Sequence, residues 1–329
     1  MHPDATTSVV DRYRRFAREE ASGRSALYAS WAERVCAQEA VAATFARIPE
    51  TRRQPPLVFA VTRLLGAPED DVDAWAAWVV ANGDAVVAEC GRRSVQTNEP
   101  LRCAALLPAL SLIEGPIALI EVGASAGLCL FPDRYSYRYH RGDGVTTLDP
   151  TDGPSTVVLD SVLEGAPALR MPEIVWRAGI DLHPLDARAP GDRAWLTGLV
   201  WPGEEGRRER ISAALDIAAS QPPLLVEGDG AAMLPELATA APSDATLVVT
   251  TPGVLAHVPR AGRAAIIAAA RDVGRWITID APGLHDGWTT PPPVHRGGFA
   301  LALDGDVVAS ADPLGAWVAW HPGIDTAAQ

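Results

Sequence analysis

Ile117-Ala118-Leu119-Ile120-Glu121-Val122-Gly123-Ala124-Ser125-Ala126-Gly127 decides how the rest of the chain reads. Residues 117–122 are apolar except for Glu121, the composition of a strand buried on both faces of a parallel sheet. Residues 123–127 are all small, which lets a backbone turn approach a ligand or another segment closely. The pattern predicts a strand, a tight turn and then a helix. Three chemistries use such a turn.

The first is the dinucleotide fingerprint GxGxxG. Aligned on Gly123 it needs glycines at 125 and 128, where the chain has Ser125 and Leu128. NAD or FAD binding is therefore disfavoured. The second is a serine nucleophile elbow, GxSxG, which Gly123 to Gly127 match letter for letter. Its acid and base would follow the serine in that order, and Asp229 with His257 or His285 could be nominated. Hydrolase sheets place strands ahead of the elbow, however, and here only helical patterns precede it. No HG-type oxyanion loop is visible either.

The third resembles the first motif of class I S-adenosylmethionine-dependent methyltransferases, an acid followed by GxGxG. Glu121 holds the acidic place, Gly123 and Gly127 the outer glycines, and Ser125 replaces the middle one. Further along, Ala178-Gly179-Ile180-Asp181-Leu182-His183-Pro184 looks like that fold's second strand, whose terminal acid takes the ribose hydroxyls. Glu227-Gly228-Asp229-Gly230 resembles the loop that meets adenine, and Leu247 to Pro259 resembles the fourth strand and the turn leaving it. The resemblance implies S-adenosylmethionine as cofactor, held by Glu121, Gly123, Ser125, Gly127, Asp181, Asp229 and Gly230. Singly, the turn reads as structural and the acids as solvated loop residues. Their order, each after its own strand, carries the reading.

The surrounding pattern agrees. Leu27, Trp31, Val35, Val41 and Phe45 recur near helical spacing, as do Leu57, Val61, Leu64 and Leu65, and Glu69-Asp70-Asp71 suits a helix start before Val72, Trp75, Val79 and Val80. Residues 1–112 therefore read as an all-helical N-terminal cap. From 113 to 329 strands are expected at Ile117 to Val122, Ile174 to Leu182, Pro223 to Glu227, Thr246 to Thr250 and Arg275 to Asp280. Helices at Arg207 to Ala219 and Arg260 to Val273 alternate with the later ones. Phe299 to Leu303 and Val307 to Ser310 flank Asp304-Gly305-Asp306 as a hairpin, with Ala316 to Trp320 as a further strand. The expected fold is α/β, a Rossmann-like mostly parallel sheet with a C-terminal antiparallel hairpin. Pro291-Pro292-Pro293 reads as a rigid loop. The gap from Gly127 to Asp181 exceeds the roughly 20 residues usual between such a turn and its acid. It predicts an inserted hairpin within 132–172, either a lid or surface decoration.

The chain also resembles domain-of-unknown-function family 2332, a bacterial family, almost end to end. The matching stretches are Gln96-Thr97-Asn98-Glu99-Pro100-Leu101-Arg102, Leu106-Leu107-Pro108, the glycine turn, Asp133-Arg134-Tyr135, Ala194-Trp195-Leu196 and Val200-Trp201-Pro202.

Composition narrows the partners. A net charge of −13 disfavours nucleic acid, whose binders concentrate positive charge. The chain has no lysine, which excludes a lysine Schiff base, a lysine general base and a Walker-type phosphate loop. Cys36, Cys90, Cys103 and Cys129 lie far apart, without metal-ligand spacing, so no metal site is expected and a reducing compartment is. Met1 to Phe16 carries no signal pattern, and no apolar run of about 18 residues occurs. A cytoplasmic protein acting on a small polar molecule is the expectation, by methylation or another use of S-adenosylmethionine. A serine hydrolase or a non-catalytic ligand-binding descendant of the methyltransferase fold are the alternatives, and the oligomeric state is open.

For the substrate, Gln96, Asn98 and Arg102 offer polar contacts, and Glu99 could act as a general base if burial raised its pKa. The alternative for Asn98 and Glu99 is an N-cap and first helical turn before Pro100. Tyr135, Tyr137 and Tyr139 alternate as on one face of a strand, with Tyr135 a substrate candidate and a stacked core the alternative. Thr250 and Thr251 end the strand that resembles the fourth of the methyltransferase fold, and the resemblance implies that Thr251 lies near the reacting methyl. His257 reads as a structural turn residue before a base.

Overall fold

A computed structural model describes residues 5–142, 144–289 and 297–321, and the loop expected at Pro291-Pro292-Pro293 lies outside the described residues. Two compact units emerge, Met1–Thr97 with Pro190–Ser212, and Asn98–Ala189 with Ala213–Gln329. Among the described residues no helix is long and apolar enough to cross a membrane.

The first unit is helical, as its periodicity predicts. It begins with α1 (Ala5–Phe16), α2 (Ala26–Ala37), α3 (Glu39–Ala46), α4 (Pro55–Leu64), α5 (Val72–Ala81) and α6 (Gly83–Arg92). Ser25 Oγ accepts from the Tyr28 N–H to start α2, and Asp71 Oδ1 accepts from Asp73 and Ala74 to start α5. The apolar faces meet in an aromatic core where Trp31 stacks on Trp75 at 4.6 Å and Phe59 lies edge-on to both. Next in the chain, α7 (Arg102–Leu110) opens the second unit and α8 (Pro190–Gly198) belongs to the first.

The units thus divide after Thr97, with Pro190–Ser212 returning to the helices, where the sequence placed a single boundary at 112. The reason is side-chain bonding. Arg63 donates to the Gly198 and Val200 carbonyls at 3.1 and 3.0 Å, and the Arg24 guanidinium lies 3.8 Å from the Trp201 ring centre. Tyr28 and Phe16 then pack on Trp201.

The second unit holds one sheet. Its strands are β1 (Pro116–Val122), β2 (Ser136–Arg141), β3 (Gly144–Leu148), β4 (Val158–Glu164), β5 (Glu173–Asp181), β6 (Leu224–Glu227), β7 (Thr246–Pro252), β8 (Arg275–Asp280), β9 (Phe299–Leu303), β10 (Asp306–Ala311) and β11 (Trp317–Trp320). They lie in the order β3-β2-β4-β11-β10-β9-β8-β7-β1-β5-β6. The block β6-β5-β1-β7-β8 is wholly parallel, and β8 through β11 are antiparallel. Between the parallel strands run α9 (Arg207–Ser220), α10 (Gly230–Ala238) and α11 (Arg260–Val273). One face of the sheet buries Ile120, Val122, Ile180, Val249 and Trp276 against Leu234, Ile266 and Ile267 of α10 and α11.

The insertion holds the expected hairpin, β2 with β3, and that hairpin is built into this sheet. β4 pairs in parallel with both β2 and β11, so β2 and β3 extend the far end of the sheet. Tyr137 and Tyr139 are buried and stack with ring planes 5° apart. Pairing across such a long sequence separation leaves no local pattern to read.

The parallel order reverses at β1, with β5 and β6 on one side and β7 and β8 on the other. Loops leaving β1 and β7 must therefore pass close together. Gly123 sits there with φ of +79°, and a Cβ on it would stand 2.3 Å from Val254 Cγ2. Gly123→Ala combines this overlap with a left-handed backbone and should cost about 2–4 kcal/mol in denaturant unfolding. Adding Val254→Ala should recover part of that loss. A cost below about 0.5 kcal/mol, the size of an ordinary surface change, would mean that the two loops do not touch.

Candidate functional site

Open parallel sheets bind ligands outside the carboxyl ends of their strands where the order reverses, which directs attention to the bend after β1. Gly123, Ser125 and Gly127 all have positive φ, at +79°, +52° and +75°. Gly123 and Ala124 donate their N–H groups to the Ile180 carbonyl at 2.8 and 3.2 Å, and Ser125 N–H donates to Asp181 Oδ2 at 2.8 Å. Gly127 N–H reaches the Ala124 carbonyl and Leu128 N–H reaches Asn98 Oδ1. These amides are consumed within the protein, so the bend offers shape more than a cradle of donors. Gly179 of β5 makes room for it, since a Cβ there would lie 2.4 Å from Ala124 Cβ.

No long helix follows the bend, contrary to the sequence expectation. Leu128–Leu130 and Pro132–Arg134 form two short 3₁₀ turns instead. Leu128, Cys129, Leu130 and Phe131 are all buried, which leaves no polar face for a helix, and Pro132 follows.

Asp181, half-buried at the end of β5, accepts from Ser125 N–H through Oδ2 and from His183 N–H through Oδ1, both at 2.8 Å. Each oxygen retains a lone pair for a ligand hydroxyl. Asp229, on the loop after the adjacent β6, is exposed and accepts from Ala232 N–H at 3.1 Å as the N-cap of α10. Gly230 begins that helix, buried against Val122.

α7 packs on β9, β4 and β8, and its start is put at the carboxyl edge of the sheet by the bond Asn98 accepts from the bend after β1 and by contact of Arg102 with the loop after β7. Asn98 is buried, with Oδ1 on Leu128 N–H and Nδ2 without a partner. Glu99, also buried, accepts from Leu101 N–H at 3.0 Å, and α7 itself starts at Arg102 with Leu101 as its N-cap and no side-chain cap bond. Arg102 donates through Nε to the Pro313 carbonyl at 3.0 Å, and its Nη2 lies against Gly253 in the loop after β7. Gln96 falls in the first unit.

Glu121 points to this side of the sheet, buried, with Oε2 unpartnered. Burial pushes its carboxyl well above the usual range; the nearby Cys129 and Asp181 add to this, and Arg102 opposes it. Tyr135 is fully buried, and its hydroxyl donates to the Leu128 carbonyl at 2.6 Å. Tyr139 likewise donates to the Ala104 carbonyl and Tyr137 to that of Pro132. The three rings are core side chains, the alternative considered for their alternation.

Thr251 joins a group that sequence reasoning missed. Trp276 Nε1–H donates to Thr251 Oγ1 at 2.9 Å, and Thr251 donates to Thr278 Oγ1 at 2.8 Å. Thr278 in turn donates to Asp280 Oδ2, and His285 Nε2 lies 3.4 Å from the same oxygen. Asp280 and His285 are both buried, whereas His257 is exposed. The available signal was an acid closing an otherwise apolar strand, Trp276-Ile277-Thr278-Ile279-Asp280. Among the described residues no three His, Cys, Asp or Glu side chains converge as metal ligands.

The chain belongs to the family described as "Uncharacterized protein conserved in bacteria (DUF2332)", which matches residues 10–320. Comparison with curated proteins finds no match.

Glu121 carries a testable consequence for stability. Its folded-state pKa lies above the unfolded one, so its contribution is fully present below the usual carboxylate range and is lost as pH rises through the folded value. Glu121→Gln never ionises. Its Tm should match or exceed the parent's at pH 8, by the equivalent of about 1–3 kcal/mol, with the difference shrinking as pH falls toward 5. A variant less stable than the parent at pH 8 would contradict this sign.

Proposed function

We propose that the second unit is a Rossmann-like, class I methyltransferase-type domain that binds S-adenosylmethionine and methylates a small polar molecule. The observation that carries the reading is the bend. Each of the three positions that the GxGxG pattern reserves for glycine has a left-handed backbone, Ser125 included. The acid of the neighbouring strand, Asp181, is fastened to the middle of that bend.

The residues present fit the cofactor on two counts. Asp181 has lone pairs left for the ribose hydroxyls and is half-exposed. Glu121 Oε2 is a buried acceptor without a donor, suited to an ammonium group. Asp229 and Gly230 lie where the adjacent strand ends, within reach of a base beyond the ribose. When bound, the sulfonium supplies an activated methyl group. The chain's own task is to orient the acceptor and keep water out. The net charge of −13 supports a small-molecule partner over nucleic acid, and four free thiols support a reducing, cytoplasmic setting.

Calorimetry with S-adenosylhomocysteine tests the reading. The parent should bind, and Asp181→Ala should weaken binding about 10- to 100-fold, the range of a charged hydrogen bond. Folded parent protein that binds nothing at millimolar ligand would remove the proposal.

A second reading, a serine hydrolase, rests on the strained φ of +52° at Ser125. Asp229 is exposed and engaged as a helix cap, which leaves the triad without a buried acid from that position. A fluorophosphonate probe should therefore leave the protein unlabelled. Labelling that disappears in Ser125→Ala would favour the hydrolase instead.

A further inference from the structure

We propose that Asp280 is a catalytic residue of this site, its free Oδ1 taking the proton from a hydroxyl or amine on the methyl acceptor. The inference rests on the methyltransferase reading and adds to it the class of acceptor.

The argument begins with how the carboxyl group is held. Asp280 closes β8 with no exposed surface. All its contacts fall on one oxygen. Oδ2 receives the Thr278 hydroxyl, which also lies 3.2 Å from the Thr251 carbonyl, at the end of the chain Trp276, Thr251, Thr278. His285 approaches the same oxygen. Its Nδ1 accepts from Gly287 N–H at 3.1 Å, so in the neutral ring Nε2 carries the proton and faces Asp280. The His285 ring is itself fixed, 4.1 Å from the Trp288 ring centre and 5.8 Å from that of Trp276.

Oδ1 has no partner. A purely structural acid at this depth would engage both oxygens, because an unpaired buried acceptor is costly and rare. Thr278 instead bonds one oxygen, with Thr251 and Trp276 behind it and His285 Nε2 facing the same oxygen at 3.4 Å, and the other oxygen is left open. That is the arrangement expected where a ligand supplies the missing hydrogen-bond donor.

Position supports the same conclusion. Gly253 N–H bonds to the Ile279 carbonyl at 3.0 Å, tying the loop after β7 to the end of β8. Arg102 lies against that Gly253, and its charge acts on both Asp280 and Glu121. Asp280 therefore stands on the carboxyl edge of the strands beyond β7, away from Asp181 on the β5 side of the reversal point. A cofactor on one side and an acceptor on the other would meet between them. Burial pushes the Asp280 carboxyl up from its ordinary value, against the pull of His285, Thr278 and Arg102. A base nearer neutrality is better matched to removing such a proton.

The step balances. The acceptor's X–H bond breaks and its proton passes to Oδ1, while the X lone pair forms a bond to the methyl carbon of the adenosyl sulfonium. The carbon–sulfur bond breaks with its electron pair going to sulfur, which becomes a neutral thioether. Asp280 ends as a neutral acid and returns its proton to solvent.

Asp280→Asn is the informative variant, since its amide oxygen can still accept from Thr278 and His285 while an NH₂ replaces the free acceptor. Tritiated S-adenosylmethionine serves as donor and the small-molecule fraction of a bacterial extract as acceptor pool. The expected result is label transfer by the parent, reduced about 100-fold or more in the variant, with S-adenosylhomocysteine affinity unchanged. The variant's Tm at pH 8 should equal or exceed the parent's. Equal transfer by both proteins, or a Tm several degrees lower in the variant, would overturn the role of Asp280 alone. No transfer by a parent that binds S-adenosylhomocysteine would overturn the acceptor chemistry, and a parent that binds no S-adenosylhomocysteine would overturn the methyltransferase reading with it.

Discussion

Three successive amides of the bend after β1 are satisfied by β5, two by the Ile180 carbonyl and one by the Asp181 carboxylate. The left-handed backbone at Gly123, Ser125 and Gly127 is what turns those amides toward the neighbouring strand. Much of the carboxyl edge follows from this. Ala124 is pressed onto Gly179, Val254 closes over Gly123, and Leu128 N–H is turned to Asn98 at the approach to α7. A side chain at 125 is tolerated in a conformation that disfavours one because the surrounding bonds over-determine it.

The same edge carries polar groups that a merely stable fold would not keep. Glu121 and Asp280 lie on strands separated by β7, each buried with one oxygen unpartnered, and Arg102 acts on both. Asn98 Nδ2 is a third unsatisfied buried atom at the start of this region. By contrast, Tyr135, Tyr137 and Tyr139 have every hydroxyl tied to a backbone carbonyl. Unpartnered buried atoms also occur in the helical core, at Tyr13 and Trp31, so what sets this edge apart is two carboxyl groups and an amide left open along one set of strand ends.

Much of the architecture was legible in residue spacing. The strands β1, β5, β7 and β8 and the helices α9 and α11 come within about two residues of their expected bounds, ordinary scatter for element ends. Their apolar runs or stripes are long and bounded by turn residues. What could not be read was non-local. β4 reaches β11 across about half the chain, and α10 carries Pro235 inside a pattern otherwise too short to declare itself. Pro190–Ser212 reads as a segment within the sheet region, yet Arg63 and Arg24 hold it to the helices. In the site, Asp181 could be named because an acid ends the strand Ala178–Asp181 in the place that the methyltransferase resemblance gives to the ribose acid. Asp280 also ends a strand, but what distinguishes it is the hydroxyl chain behind it, drawn from β7 and β8 together.

Sequence alone determined that a strand, a tight turn of small residues and a later strand-terminal acid occur in this order, since each depends only on neighbours along the chain. Tertiary structure decided which atoms those residues leave available. It placed the bend's amides on β5, bonded Glu99 to the Leu101 N–H, buried the tyrosines and left Asp280 Oδ1 without a partner. Hydrogen-bond satisfaction is settled by partners distant in sequence, and no local pattern encodes which of them arrive.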